Sequence, residues 1–277
     1  MQAPLKIVDL LRDRPKPSGL DVLCKLQHFA IITYAFDPKR FARVMPSRFK
    51  LDTVEIDGLE MALVSVVPFV DIDFTSAVYP FPKFRMGQTN YRIYIVDTLT
   101  NEKCVWFLGT TLDSWTVAVP RFIWNLPWYP GKVSFNCKID GANRYIRYFM
   151  ETLAEWAPAR VELVSDRTTE ISLRGFPDTE TGLAYLTHPL RGYYHRRDGQ
   201  LGTYHVWHKQ LEVTPGTLIS AEFGLLDRLR LVTFAEQQRP HSVLIEPVNE
   251  FTIYLPPRVL GKRSNNSFKP TPQSGAA

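Results

Sequence analysis

Apolar residues recur along this chain in runs of strand length separated by short polar turns, and three-and-four spacing is confined to a few short segments. Leu23–Phe36 is apolar on both faces and reads as a long strand. Asp37 and Pro38 then suit the start of a helix through Met45. Extended structure resumes over Phe49–Ile56, turns at Asp57-Gly58, and continues in Glu60–Asp73. Gln88–Val96 and Cys104–Thr111 are two strands joined across the polar loop Asp97–Lys103. Ser114–Trp124 has helical length, is capped by Asp113 or Ser114, and ends at Leu126-Pro127. A meander follows through Lys132–Ile139, the Asp140-Gly141 turn, Tyr145–Leu153 and Arg160–Val164. Thr179–Arg191 suits a helix, Gly202–Val213 and Ser242–Tyr254 are the last clear strands, and a short helix falls between them at Leu225–Leu231. At the front, Pro4–Arg12 reads as a short amphipathic helix broken by Pro15–Gly19.

Strands delivered as hairpins, with few helices, must bury an apolar face without leaving long edges open. Closing the sheet on itself removes the edges. The expected fold is therefore α+β, mainly antiparallel, with a closed or nearly closed β-barrel and flanking helices. No repeat or linker divides the chain, so residues 1–258 are expected to form one domain. Residues 259–277 are expected to form a disordered tail, because Gly261–Ala277 is rich in Ser, Asn, Pro, Gly and Ala, with Phe268 as its one large apolar side chain.

Composition narrows the function classes. With 277 residues, 45% hydrophobic and 13% aromatic, the chain can build one large core, and its aromatic and β-branched residues favour strands. Cys24, Cys104 and Cys137 are odd in number and far apart, which suggests reduced thiols and a cytoplasmic location rather than a disulfide framework or a zinc knuckle. Met1–Arg14 carries Lys6, Asp9, Arg12 and Asp13 where a secretory leader needs an uninterrupted apolar stretch. Met61–Val70 is interrupted by Ser65 and Pro68 and falls far short of the ~20 residues that span a bilayer, so no membrane partner is expected. The net charge of +5 comes from bases scattered among acids. The densest basic and aromatic stretch, Arg191–Arg197, specifies no stacking face, and no nucleic-acid partner is expected.

Candidate chemistry is sparse. There is no phosphate-binding glycine loop, nucleophile elbow or paired-carboxylate spacing, so no cofactor is expected. His205 and His208, three apart on a strand, point to opposite faces and make a poor metal pair. Alternation puts Gln88, Asn90, Arg92 and Tyr94 on one face of a strand and Tyr91, Ile93 and Ile95 on the other. The polar face is either solvated or turned inward, where Arg92 would clamp a carboxylate or other oxyanion. Arg121 suits an ion pair with Asp113 or a ligand contact. His28 suits a buried, hydrogen-bonded histidine or a general base. Trp128 and Tyr129 are either pocket wall or core.

Several of these residues also carry a resemblance. His28-Phe-Ala-Ile-Ile-Thr-Tyr34 with Asp37-Pro38, Met45-Pro46 and Leu51-Asp52 resembles the opening of the acetoacetate decarboxylase-like superfamily. Val105–Asp113, Ala118–Arg121, Asn125–Tyr129, Asn90-Tyr-Arg92 and Tyr94 resemble its YqjF-like branch of unknown function. With the strand around His205-Val-Trp207, the similarity spans Val22 to Pro257. It implies a cone-like barrel with outer helices and an inner pocket. In the decarboxylases a Gly-x-Pro-Lys-Lys stretch supplies an amine that forms a Schiff base with a keto acid. Trp128 and Tyr129 stand where those lysines fall, and Lys132 follows Pro130-Gly131. The family's first-strand arginine falls near Gln27, and its pocket glutamate near Gln88 or Asn90. The tail from Ser264 to Pro272, followed by Gly-Ala-Ala, resembles the read-through ends of bacterial integron gene cassettes.

Together these observations imply a pocket for a small organic carboxylate or carbonyl compound, without imine chemistry through lysine. The alternative is a lyase- or hydrolase-like enzyme using Tyr129, His28 or Arg92 in non-covalent chemistry. A protein–protein adaptor would instead need a large exposed apolar patch. The oligomeric state is not readable from the chain.

Overall fold

The computed structural model describes residues 13–41, 45–114, 118–166 and 170–260, the side chains of 118–120 excepted. The predicted N-terminal helix and almost all of the predicted tail, 261–277, lie outside these residues. Fourteen strands form one continuous sheet. They are β1 (Val22–Phe36), β2 (Phe49–Leu51), β3 (Thr53–Ile56), β4 (Leu59–Ser76), β5 (Phe84–Asp97), β6 (Glu102–Leu112) and β7 (Trp128–Pro130), followed by β8 (Lys132–Ile139), β9 (Tyr145–Leu153), β10 (Ala159–Ser165), β11 (Arg191–His195), β12 (Leu201–His208), β13 (Thr214–Phe223) and β14 (Ser242–Val259). The helices are α1 (Ala118–Ile123), α2 (Thr179–Thr187) and α3 (Gly224–Arg228).

Strands β1, β4, β5, β6, β11, β12 and β14 follow one another in hydrogen-bonded order, and β14 returns to pair with β1 along Val22–Thr33. The sheet is therefore a closed barrel, as expected. It is mixed: β11 and β7 each run parallel to β6, and the other pairings are antiparallel. The sheet continues from β14 through β13, β10, β9 and β8, and this extension lies over the outside of the barrel. Among the described residues no helix is long and apolar enough to cross a membrane.

The two faces of the barrel wall bury different sets of side chains. Outward residues of the wall, including Ile32, Tyr34, Val64, Tyr91 and Ile93, pack against Tyr148, Met150, Val161 and Phe223 of the outer layer in one core. Inward residues, including Leu26, Phe29, Val67, Phe69 and Val105, meet Leu173 and, on α2, Tyr185 and Leu186 in a second. On β1 the inward positions shift from Cys24 and Leu26 to Phe29 and Ile31. The step falls at His28, whose φ of 54° bends the strand where its register against β4 slips. The Asp57-Gly58 turn has positive φ at both residues, the geometry that twists a two-residue hairpin in the same sense as its strands.

Several boundaries differ from the sequence reading. The helix expected from Asp37 is a single 3-10 turn over Pro38–Arg40, capped by the Asp37 carboxylate on the Lys39 amide, and 42–44 lie outside the described residues. The helix expected over Thr179–Arg191 ends at Thr187, two residues before Pro189, because proline supplies no amide donor and crowds the preceding turn. Arg191 instead opens β11, so the basic stretch Arg191–Arg197 is largely a barrel strand. β13 was not anticipated. Its alternation is broken by Pro215 and Gly216, and it pairs with β10 on the outer layer. The Asp140-Gly141 turn extends to Arg144, with Asn143 taking positive φ and the Asp140 carboxylate accepting from the amides of Ala142 and Arg144.

Candidate functional site

The barrel encloses a cavity of about 100 Å³ lined from β1, β4, β5, β6, β12 and β14. One water needs roughly 10–15 Å³ of such space, so the cavity suits a small organic molecule. The walls are mostly apolar, with Phe29, Phe69, Phe107, Phe251 and Trp128 among them. Polar side chains enter chiefly from β5, where pleating turns Gln88, Asn90 and Arg92 inward. Asn90 Oδ1 accepts from Gln88 Nε2 at 2.9 Å and from Thr110 Oγ1 at 2.6 Å, which fixes the amide by its partners.

One end of the barrel is plugged by α2. Asp178 caps its N-terminus, and its last carbonyls point at the barrel. Leu186 O accepts from Arg92 Nη2 at 2.8 Å and from Tyr94 Oη at 3.0 Å. A cation at a helix C-terminus is favoured by the helix dipole. Tyr94 continues into a buried chain through Ser65 Oγ at 2.9 Å to Thr33 Oγ1 at 2.8 Å. Arg92 Nε is buried with no hydrogen-bond partner, and no ion pair with a carboxylate forms at Arg92 among the described residues. His208 shares this end of the cavity, its ring nitrogens 2.6 Å from Lys209 O and 3.0 Å from Thr187 O. Burial lowers its pKa to about 4, so the ring is neutral and donates to only one of these carbonyls.

Asp71 also lines the cavity and is 2% exposed. Its carboxyl accepts from the Cys24 thiol, and burial raises its pKa to about 7 against the smaller opposing effect of that hydrogen bond. The same burial, with Asp71 beside it, pushes the Cys24 thiol well above its ordinary value, so Cys24 is not a thiolate nucleophile near neutral pH.

The structure thus brings Gln88, Asn90, Arg92 and Trp128 together and leaves the other sequence candidates outside this cavity. Tyr94 shares the inward face of β5, but its ring borders a second cleft of about 730 Å³ beyond the plug. Gln27 lies half-buried between Val70 and Val248 and is not among the lining side chains. His28 turns toward the outer layer, where Nδ1 lies 3.0 Å from Tyr145 Oη and the ring stacks near Phe135. Burial and Arg85 lower its pKa. Tyr129 faces away from the cavity and stacks on Trp156 with centroids 4.0 Å apart, and the Arg121 guanidinium lies over its ring, 5.4 Å from the centroid, rather than in an ion pair with Asp113. No lysine lines the cavity among the described residues, and Lys132 is exposed on β8.

The model of a family called DUF2071, described as an uncharacterized conserved protein, matches residues 24–249. The chain belongs to the DUF2071 family. No curated protein matches it. Among solved structures, this DUF2071 chain is similar to the enduracididine biosynthesis enzyme MppR complexed with the condensation product of pyruvate and imidazole 4-carboxaldehyde. That match has 12% identity and a TM-score of 0.55, covering 90% of this chain and 92% of that one. It is also similar to acetoacetate decarboxylase from Legionella pneumophila, at 13% identity and TM-score 0.52 over 94% and 97% of the two chains. An acetoacetate decarboxylase-like enzyme from Sphingomonas wittichii RW1 matches at 10% identity and TM-score 0.54, over 85% and 92%. The shared feature is the acetoacetate decarboxylase-like barrel.

Within that barrel, Asp71 is the cavity group that sequence reasoning passed over. Its signal was its parity: it follows Val67 and Phe69 on the inward side of an apolar strand, where an acid has no access to water.

Proposed function

We propose that this DUF2071 protein binds a small organic carboxylate, or a carbonyl compound carrying one, inside the barrel. The observation that supports it is Arg92. Its guanidinium is held from behind by the Leu186 carbonyl, keeps a buried Nε unpaired, and has no carboxylate partner among the described residues. A half-buried guanidinium whose Nε is cut off from water and has no counter-ion is costly, and a ligand carboxylate accepting a forked pair of hydrogen bonds from it removes that cost. Gln88 and Asn90 add amide donors and acceptors along the wall, and the aromatic lining suits an apolar body. No lysine lines the cavity among the described residues, so the reading assigns no imine chemistry to it.

Calorimetric titration with hexanoate tests it. Saturable binding to the native protein, weakened at least tenfold in Arg92→Gln with an unchanged circular dichroism spectrum, is the expected outcome. Equal binding to both proteins removes Arg92 from the site.

A second reading has one specific observation behind it. Asp71, poised near neutrality in the same cavity, has the properties of a general acid or base. It suits non-covalent enzyme chemistry better than His28 or Tyr129, which sit outside the cavity. A bell-shaped pH–rate profile that loses one limb in Asp71→Asn would favour the enzyme.

A further inference from the structure

Arg92 and Asp71 are the two oppositely charged side-chain types that line the barrel cavity, and neither has an ion-pair partner among the described residues. They also lie at opposite ends of it. Arg92 is opposite Ser65, whereas Asp71 is opposite Met86, six residues away along β5. At about 3.3 Å per residue the two levels are roughly 20 Å apart. The Arg92 guanidinium leans toward the α2 plug, which keeps the two groups from meeting. Between them the wall carries Val67, Phe69, Phe107, Phe251 and Ile253, with the Gln88–Asn90 amides on one side. A single narrow space therefore offers an anion site, an apolar middle and an acid.

We infer that the cavity selects bipolar ligands: ω-amino carboxylates whose carboxylate meets Arg92 and whose ammonium group meets Asp71, with methylenes against the aromatic walls. This deepens the carboxylate reading and rests on it. Each end of such a ligand supplies the missing ionic partner of one cavity-lining group, and a chain without the amine leaves Asp71 as it was. The Cys24 thiol on the Asp71 carboxyl leaves acceptor capacity for a second donor. Because burial holds Asp71 protonated up to about pH 7, docking of an ammonium draws off its proton.

The experiment is calorimetry at pH 6.5 with the series from 8-aminooctanoate to 12-aminododecanoate, whose extended chains approach the separation of Arg92 and Asp71, each matched by the alkanoate of the same length. Native protein, Asp71→Asn and Arg92→Gln are compared in two buffers of different ionisation enthalpy. At least one amino carboxylate is expected to bind tenfold or more tightly than its matched alkanoate and to release a proton on binding. Asp71→Asn is expected to abolish both the preference and the proton release. If alkanoates bind native protein and no amino carboxylate exceeds its match, the bipolar inference is overturned and the carboxylate reading stands. If a preference exists but survives in Asp71→Asn, the assignment of the amine end is overturned. If no member of either series binds, both readings fall.

Discussion

A carboxyl held at about pKa 7 inside an apolar barrel makes stability depend on pH in a way that one substitution should erase. Asp71 is 2% exposed, and its 3.8 reference value is raised to about 7 mainly by burial. The folded chain therefore holds this proton more tightly than the unfolded chain. Below about pH 4 both states are protonated and the group contributes nothing. Between about 4 and 7 the unfolded state alone loses the proton, so stability falls as pH rises. Above about 7 the full cost of a buried carboxylate is present. The interval from 3.8 to about 7, at 1.36 kcal/mol per pKa unit, corresponds to about 4 kcal/mol. Asp71→Asn keeps the shape and an acceptor for Cys24 but cannot ionise. In urea denaturation the variant should match native protein near pH 4 and exceed it by up to about 4 kcal/mol at pH 8.5. Groups that titrate alike in both proteins cancel in the difference. A difference that stays flat from pH 4 to 8.5 would refute the burial of an unpaired carboxyl at this position.

Three other consequences follow from the same contacts. Arg48→Met should cost about 3 kcal/mol, because it strands the fully buried Asp97 carboxylate that Arg48 holds at 2.6 Å and Tyr193 at 3.1 Å. Burial alone would raise the Asp97 pKa, but hydrogen bonds from Arg48 and the Leu99 amide leave it below the usual carboxylate range, so the advantage of native protein over the variant should shrink as pH falls below about 4 in acid titrations of unfolding. Gly109→Ala should destabilise by about 1–3 kcal/mol in thermal or urea unfolding, since an added Cβ would sit 2.6 Å from the Trp156 ring and disturb its stack on Tyr129. Incubation with acetoacetate and borohydride should leave the intact mass unchanged, and a stoichiometric adduct mapped to Lys132 would restore imine chemistry.

The barrel was legible because its strands advertise themselves locally. Alternation on Gln88–Tyr94 placed the polar side chains on one face, and hairpin spacing implied antiparallel partners. What alternation does not encode is which face looks inward, since that depends on closure between β1 and β14, strands at opposite ends of the chain. The same limit explains the side chains that missed the cavity. His28 flips the parity of β1 through a positive φ that no neighbouring glycine announced, sending its own ring to the outer layer. Trp128 and Tyr129 are adjacent, so one strand puts them on opposite faces, and only the parallel pairing with Thr110 and Thr111 of β6 decides which is inside. β11 was hidden because Arg191–His195 is too short and too basic to read as an interior strand, yet Tyr193 and Tyr194 are fully buried. Asp71 was hidden for the opposite reason, an acid inside an apolar run where solvent exposure is the ordinary expectation.

A crystal structure of the protein soaked with 6-bromohexanoate, whose bromine is located by anomalous scattering, decides whether Arg92 anchors a ligand carboxylate within the barrel. The expected map has the carboxylate on the Arg92 guanidinium at hydrogen-bond distance, with the brominated chain among Phe69, Phe107 and Phe251. Bromine found only outside the barrel, with the Arg92 guanidinium paired to a protein carboxylate, would contradict it.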